Sequence, residues 1–347
     1  MERGRAVATV GGFLAAIAVL AGLVSFVGVS ELLAVLASAD RGLASLVVGL
    51  TGLWLICWGL ALWTILGSLG AVIPMSQAVL LYAGAAFANN VTPFGQAGGE
   101  PVTALLVAES RDLSYERGLA AITGVDTANF VPSVGLALIG VGYLAITTTL
   151  GRALSTVAVG IVGLGAVVVL GGVTVWQVRR RAADRVAGFL ARGIRQIVRL
   201  LPRGDPPSAS AITTRVHGFV DAVEQIGTHP RRLGVTLGFS ALGWGFQMVA
   251  LWVALRAVGA PVSLAIPVVV VPLGAIAGAT PLPGGVGGIE AALVALLVAA
   301  PVGVSQAAAL GAVVLFRGAV YWLPTLVGGA VAGVVAGGAV AGRRDPG

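Results

Sequence analysis

Apolar residues run through this chain in blocks longer than soluble helices use. Long apolar stretches cover 6–30, 42–100 and 151–177, each at or beyond the ~20 residues that cross a ~30 Å hydrocarbon core as helix. The first sits behind Arg3 and Arg5, but its ~24 apolar residues exceed the ~7–15 of a signal-peptide core, so it reads as a span. Further spans are expected at about 43–66, 117–146, 151–176 and 232–256. A final run over 305–342 is long for one helix, and Pro324 offers it a bend. The fold class expected is all-α, a polytopic transmembrane helix bundle.

Two places break the pattern. One reads Asn89-Asn90-Val91-Thr92-Pro93-Phe94-Gly95-Gln96-Ala97-Gly98-Gly99-Glu100; the other reads Ala279-Thr280-Pro281-Leu282-Pro283-Gly284-Gly285-Val286-Gly287-Gly288-Ile289-Glu290. Pro removes a backbone donor and clashes with the preceding turn, and Gly weakens what remains, so both segments must unwind. The arms beside them are too short to span alone. This predicts re-entrant hairpins at about 77–109 and 262–300, tolerated at membrane depth only where protein or a water-filled cavity satisfies the freed backbone. Aligned on Thr92-Pro93 and Thr280-Pro281, both segments continue through glycines to a glutamate, with a two-residue offset, and then into an apolar helix.

Charge orients these elements. Between 177 and 232 lie eleven arginines against Asp184, Asp205, Asp221 and Glu224, a surplus of seven that equals the net charge of the whole chain, +7. Basic loops stay cytoplasmic, which places the 177–231 connection inside, together with the N-terminus by Arg3 and Arg5 and the C-terminus by Arg343 and Arg344. Counting spans from there makes the first hairpin dip from the cytoplasm and the second from outside. That is an inverted repeat of discontinuous helices, a pointer to a transport site near the midplane. The organisation expected is an N-terminal transmembrane half over 1–176, the Arg-rich connection over 177–231 and a C-terminal half over 232–347, in the plasma membrane.

Within the connection, Ala182, Val186, Phe189, Ile197 and Leu201 recur at helical spacing among arginines. They predict an amphipathic helix on the inner leaflet, with anionic headgroups as partners at 179–203. A weaker stripe follows at Ile212, Val216, Val220 and Val223. Some 55 residues are too few for a catalytic domain, which commonly needs about 100.

Composition then removes whole classes of function. The chain is 57% hydrophobic and 10% charged, against about 25% charged in soluble domains. Cys57 is the only cysteine, and His217 and His229 make no metal-ligand spacing, so no metal, cofactor or nucleic-acid partner is expected and no catalytic constellation marks an enzyme. Glycine, 52 of 347 residues, recurs four apart at Gly329, Gly333 and Gly337, a spacing that lets helices approach closely in lipid.

Ionisable groups within spans are functional candidates. Here they are Glu100, Asp126, Glu290 and Arg317. Each glutamate stands near the start of a half-helix, where free N–H groups and the dipole favour an anion. It either caps its own helix, or carries a proton or orders a loop in which Gly98, Gly99, Gly284, Gly285, Gly287 and Gly288 offer bare N–H groups to a phosphate. Arg317 needs a carboxylate or a phosphate, and Glu290 is the candidate carboxylate. Asp126, followed by Asn129 and Pro132, either joins the polar cluster or caps a kink.

Together, Asn90…Pro93…Gly99-Glu100, then Pro281-Leu282-Pro283-Gly284-Gly285-Val286-Gly287…Glu290, then Arg317…Tyr321-Trp322-Leu323-Pro324…Gly328 resemble the signature of the lysylphosphatidylglycerol synthase transmembrane region, or flippase-like domain, family. The resemblance covers nearly the whole chain, in its stand-alone form. It implies movement of modified lipids or polyprenyl-phosphate sugars between leaflets, with Asn90, Pro93, Asp126, Pro281, Pro283 and Tyr321 joining the glycines, the glutamates and Arg317 along a headgroup path. Many members carry a basic residue where this chain has Thr103. Besides a lipid translocator, an ion- or proton-coupled transporter of a small solute and a non-catalytic membrane partner of a lipid-modifying enzyme remain open. No feature of the sequence reports the oligomeric state.

Overall fold

The structure is a computed structural model describing residues 2–92, 96–109, 113–147, 152–199, 208–279, 282–300 and 303–342. All its regular elements are helical: α1 (Glu2–Val27), α2 (Val29–Ser38), α3 (Arg41–Ser68), α4 (Met75–Val91), α5 (Gln96–Glu109), α6 (Tyr115–Thr147), α7 (Arg152–Arg199), α8 (Ala209–Gly227), α9 (Pro230–Ala257), α10 (Ala265–Ile276), α11 (Gly288–Ala299) and α12 (Gln306–Gly342). Among the described residues α3, α9, the 115–143 stretch of α6 and the 306–333 stretch of α12 are long and apolar enough to cross a membrane. The chain is an all-α polytopic bundle. At Gly28, whose φ of 101° suits glycine, α1 turns by 84° into α2. The last apolar run does not divide: α12 passes Pro324 as one helix.

The two halves are built alike. Helices α3 and α9 each have 28 residues, and each ends in a turn through a left-handed glycine, Gly70 at φ 79° and Gly259 at φ 75°. In each, an indole N–H reaches the carbonyl ten residues ahead, Trp63 to Ile73 and Trp252 to Val262, both at 2.9 Å. The two helices pack together antiparallel: Trp58 Nε1 donates to Ser240 O, the Thr64 and Thr236 hydroxyls bond at 2.5 Å, and Asp40 N donates to Ala257 O. Antiparallel pairing of equivalent helices is what an inverted repeat requires. Around this seam α4 packs on α12 as α10 packs on α6, and α5 on α6 as α11 on α12. Exchanging the halves leaves the packing scheme unchanged.

Lipid tails match side chains in polarity, so close contact and hydrogen bonds hold such a bundle together. Glycine supplies the contact at particular sites. A Cβ on Gly328 would overlap the Ala83 carbonyl of α4, and one on Gly118 the Ala104 carbonyl of α5. Towards the end of α12 the close backbone contact falls on Gly328, one residue before the expected stripe. Gly329 meets only the Phe87 ring, Gly333 has nothing within 4 Å, and the surroundings of Gly337 lie outside the described residues.

The basic connection differs from expectation. Helix α7 runs unbroken across 176–177 for 48 residues, about 72 Å at 1.5 Å per residue, so its basic part continues the preceding helix. Ala183, Ala187 and Ala191 are buried where α7 meets α8. Val186 and Phe189 of the expected stripe are exposed, and the side chains of Ile197 and Leu201 lie outside the described residues. Helix α8 turns its apolar side to the bundle, burying Ile212, Ala222 and Ile226. It is pinned there by Arg117 Nη2 donating to Gln225 Oε1 at 2.8 Å and Gln225 Nε2 donating to Ser68 O at 3.0 Å. Arg179 and Arg180 form ion pairs with Glu224, and Arg180 with Asp221, so part of the positive charge is neutralised within the protein. Hydrogen bonds from Arg180 and Arg179 hold the Glu224 carboxyl below the usual glutamate range.

Candidate functional site

Each broken segment folds into a helical hairpin. In the first, Gly99 of α5 lies so close to Asn89 of α4 that a Cβ would overlap Asn89 Oδ1, while Gly84 faces Leu106. In the second, Gly274 of α10 faces Leu293 of α11 and Gly278 faces Ile289. Both registers are antiparallel. The turn of the second uses Gly284, Gly285 and Gly287 at φ 58°, 64° and 87°, a conformation that costs other residues roughly 1–2 kcal/mol each. Pro283 and Gly285 are buried in it. Pro93 and Pro281 lie outside the described residues, and Gly98 is half-buried at the start of α5.

The hairpin tips meet each other. A Cβ on Gly284 would stand 2.7 Å from Tyr321 Cε2 and 3.0 Å from Asn90 Oδ1. Asn90 Nδ2 donates to Tyr321 O at 3.2 Å and to Thr325 Oγ1 at 2.8 Å, and Tyr321 OH donates to Asn90 O at 3.2 Å. One asparagine thus ties the first hairpin to α12 beside the second hairpin's turn. Thr325, absent from the sequence-based set, is the residue four after Tyr321 on the same helical face.

Glu290 and Arg317 form a buried pair. Arg317 Nε donates to Glu290 Oε1 at 2.8 Å, and the side chains are 10% and 8% exposed, Arg317 first. Glu290 Oε2 accepts from Gly287 N at 2.6 Å, so this carboxylate caps its own helix and neutralises the arginine. Arg317 Nη2 also donates to Gly284 O at 3.2 Å. Two of the five guanidinium N–H groups are used in these bonds. The amides of Gly288 and Ile289 head α11 without intrahelical acceptors. They follow directly on the Gly284–Gly287 turn that meets the first hairpin.

Glu100 behaves differently, and the two-residue offset explains why. It is the fifth residue of α5, past the capping position, and its carboxyl comes up against that of Asp126 on α6. Asp126 therefore joins a polar cluster, with Glu100 as its partner. Thr103 is fully buried and its hydroxyl donates to Gly99 O at 3.0 Å, so this half presents no cation from that position.

Beside the second hairpin lies an apolar groove of about 280 Å³, lined by Leu23 and Val27 of α1 and by Ala291, Val294 and Val298 of α11. It flanks one hairpin and does not run between the two. Its one polar lining residue is Gln306; outside the groove, Gly287 packs closely against Val19 and Ala16 of α1.

The family model for the lysylphosphatidylglycerol synthase TM region matches residues 13–328. A UPF0104 membrane protein of Pyrococcus horikoshii is 27% identical over 250 residues, covering 70% of this chain and 72% of the relative. One of Methanothermobacter thermautotrophicus is 27% identical over 328 residues, covering 91% of this chain and 90% of the relative.

Proposed function

The chain belongs to the lysylphosphatidylglycerol synthase TM region family, and on that premise we propose that it translocates a lipid, passing a phosphate-bearing headgroup between leaflets while the tails stay in the bilayer. The observation that carries this reading is the contact of the two hairpin tips at Gly284, Asn90 and Tyr321, beside the buried Glu290–Arg317 pair. The hairpin arms have 17, 14, 12 and 12 residues, roughly 26, 21, 18 and 18 Å long against a ~30 Å core. Arms of that length enter and return, one hairpin from each side, with both termini in the cytoplasm and the chain in the plasma membrane. The apolar groove between α1 and α11 offers an acyl chain a seat beside the second hairpin, which favours a lipid over a soluble solute. Exposed Arg181, Arg185 and Arg192 on α7 would face anionic inner-leaflet headgroups.

Leaflet-resolved movement of a fluorescent phospholipid in proteoliposomes tests the proposal. The wild type should move the lipid, and Arg317→Ala should slow it about tenfold or more, the loss of one charge-assisted hydrogen bond. A wild type that moves no phospholipid or polyprenyl phosphate refutes the lipid reading. Undiminished movement in both Glu290→Gln and Arg317→Ala refutes the site.

A further inference from the structure

Asp126 stands eleven residues into α6 and Arg317 eleven residues into α12, so the repeat puts an acid where the other half has a guanidinium. Each meets the glutamate of its own hairpin, Asp126 with Glu100 and Arg317 with Glu290. The second pair neutralises itself, whereas two bare carboxylates in contact repel, and a hydrogen bond between them requires a proton.

Among the described residues the neighbouring elements bring no compensating charge. Helix α4 offers Tyr82, α9 offers the Trp244 indole, which donates to Asn129 O at 2.7 Å, and α10 carries no ionisable residue. Of the arginines on α6, α8 and α12, Arg317 is paired with Glu290, Arg117 with Gln225 and Arg215 with Glu116. Polar atoms are also left over. Asp126 Oδ2, Asn89 Oδ1 and both side-chain heteroatoms of Asn129 are buried with no hydrogen-bond partner among the described residues. Asn129, 5% exposed, lies one turn from Asp126 on the same face, and Asn89 Oδ1 lies against Gly99, next to Glu100.

We propose that Glu100, Asp126, Asn89 and Asn129 bind one exchangeable monovalent cation, a proton or a sodium ion, supplying the charge that Arg317 supplies permanently in the opposite half. Binding and release of this ion drive the headgroup transfer, a consequence that rests on the translocator reading; the binding itself does not.

The test is the melting temperature of the full-length protein in detergent, read as the difference between wild type and the Glu100→Gln/Asp126→Asn double variant. Two series are run, sodium chloride replaced by choline chloride at constant ionic strength, and pH varied without sodium. A saturable rise of a few degrees with sodium identifies sodium; a rise on acidification that sodium does not alter identifies the proton. Either result supports the site, provided the double variant lacks it. No differential response in either series overturns the proposal. Asp126→Arg, which recreates the opposite half's ion pair, should be insensitive to both ions; if it does not fold, the double-amide variant still decides. A cation response in a protein that moves no lipid keeps the site and refutes the translocator reading, and lipid movement without a cation response does the reverse.

Discussion

Glu290→Gln keeps the shape of the side chain and an acceptor for Gly287 N, but leaves the Arg317 guanidinium, a residue 9% exposed, without its carboxylate. Breaking a buried pair from one side costs about 3–5 kcal/mol, because the remaining charge stays buried. Arg317→Met strands the carboxylate instead, with a cost of the same order. The Glu290→Gln/Arg317→Met double variant buries no net charge and keeps the helix cap, so it should be more stable than either single variant. The expected coupling is about 2 kcal/mol or more, within the range for residues in direct contact. The assay is reversible unfolding in mixed micelles, with the two singles and the double completing a mutant cycle. Single losses below about 1 kcal/mol, as for water-exposed pairs, together with additivity, would refute the reading of Glu290 and Arg317 as a buried pair.

Three further outcomes are expected. Gly284→Ala should cost more than Gly303→Ala, since both positions have positive φ, 58° and 67°, but only the first places a Cβ against Tyr321 and Asn90 while the second has open space; strain alone is roughly 1–2 kcal/mol, and unfolding midpoints of the two variants measure the remainder. In a Cys57→Ala background, cysteine at Pro261 should react with impermeant maleimide on intact cells and cysteine at Ser208 only after permeabilisation; the opposite pattern rejects the inverted topology. The depressed Glu224 carboxyl implies that its contribution to α7–α8 docking is complete above the ordinary glutamate value of about 4.3 and is lost as pH falls through the lower folded-state value; hydrogen exchange of α8 amides followed down the pH scale should show protection holding through the ordinary range and falling below it.

Much of the architecture was legible from local pattern. Run length separates spans from the short hairpin arms, and the pairing of proline with glycine clusters locates both breaks, because a missing donor and a missing Cβ act within one turn. The internal repeat was visible at the Thr-Pro pairs, and a second trace of it, Leu66…Gly70-Ala71 against Leu255…Gly259-Ala260, marks the turns after α3 and α9. The connection was less legible. The apolar stripe of α8 reads equally well as facing lipid or protein, since both are apolar, and only its contacts with α6 and α7 decide that it docks on the bundle.

Composition and periodicity by themselves determined that this chain spans a bilayer as helices, where those helices break, and which four ionisable groups fall within the apolar runs. The sequence offered Glu290 or a phosphate as the partner of Arg317 and left Asp126 between a polar cluster and a kink; tertiary structure decided both. Arg317 pairs with Glu290 and Asp126 with Glu100 because α12 and α6 lie beside the returning arms of their own hairpins, while the antiparallel seam between α3 and α9 brings the two hairpins together. Such a register sums weak contacts between residues as distant in sequence as Asn90 and Thr325, 235 positions apart, and no local stretch of sequence records it.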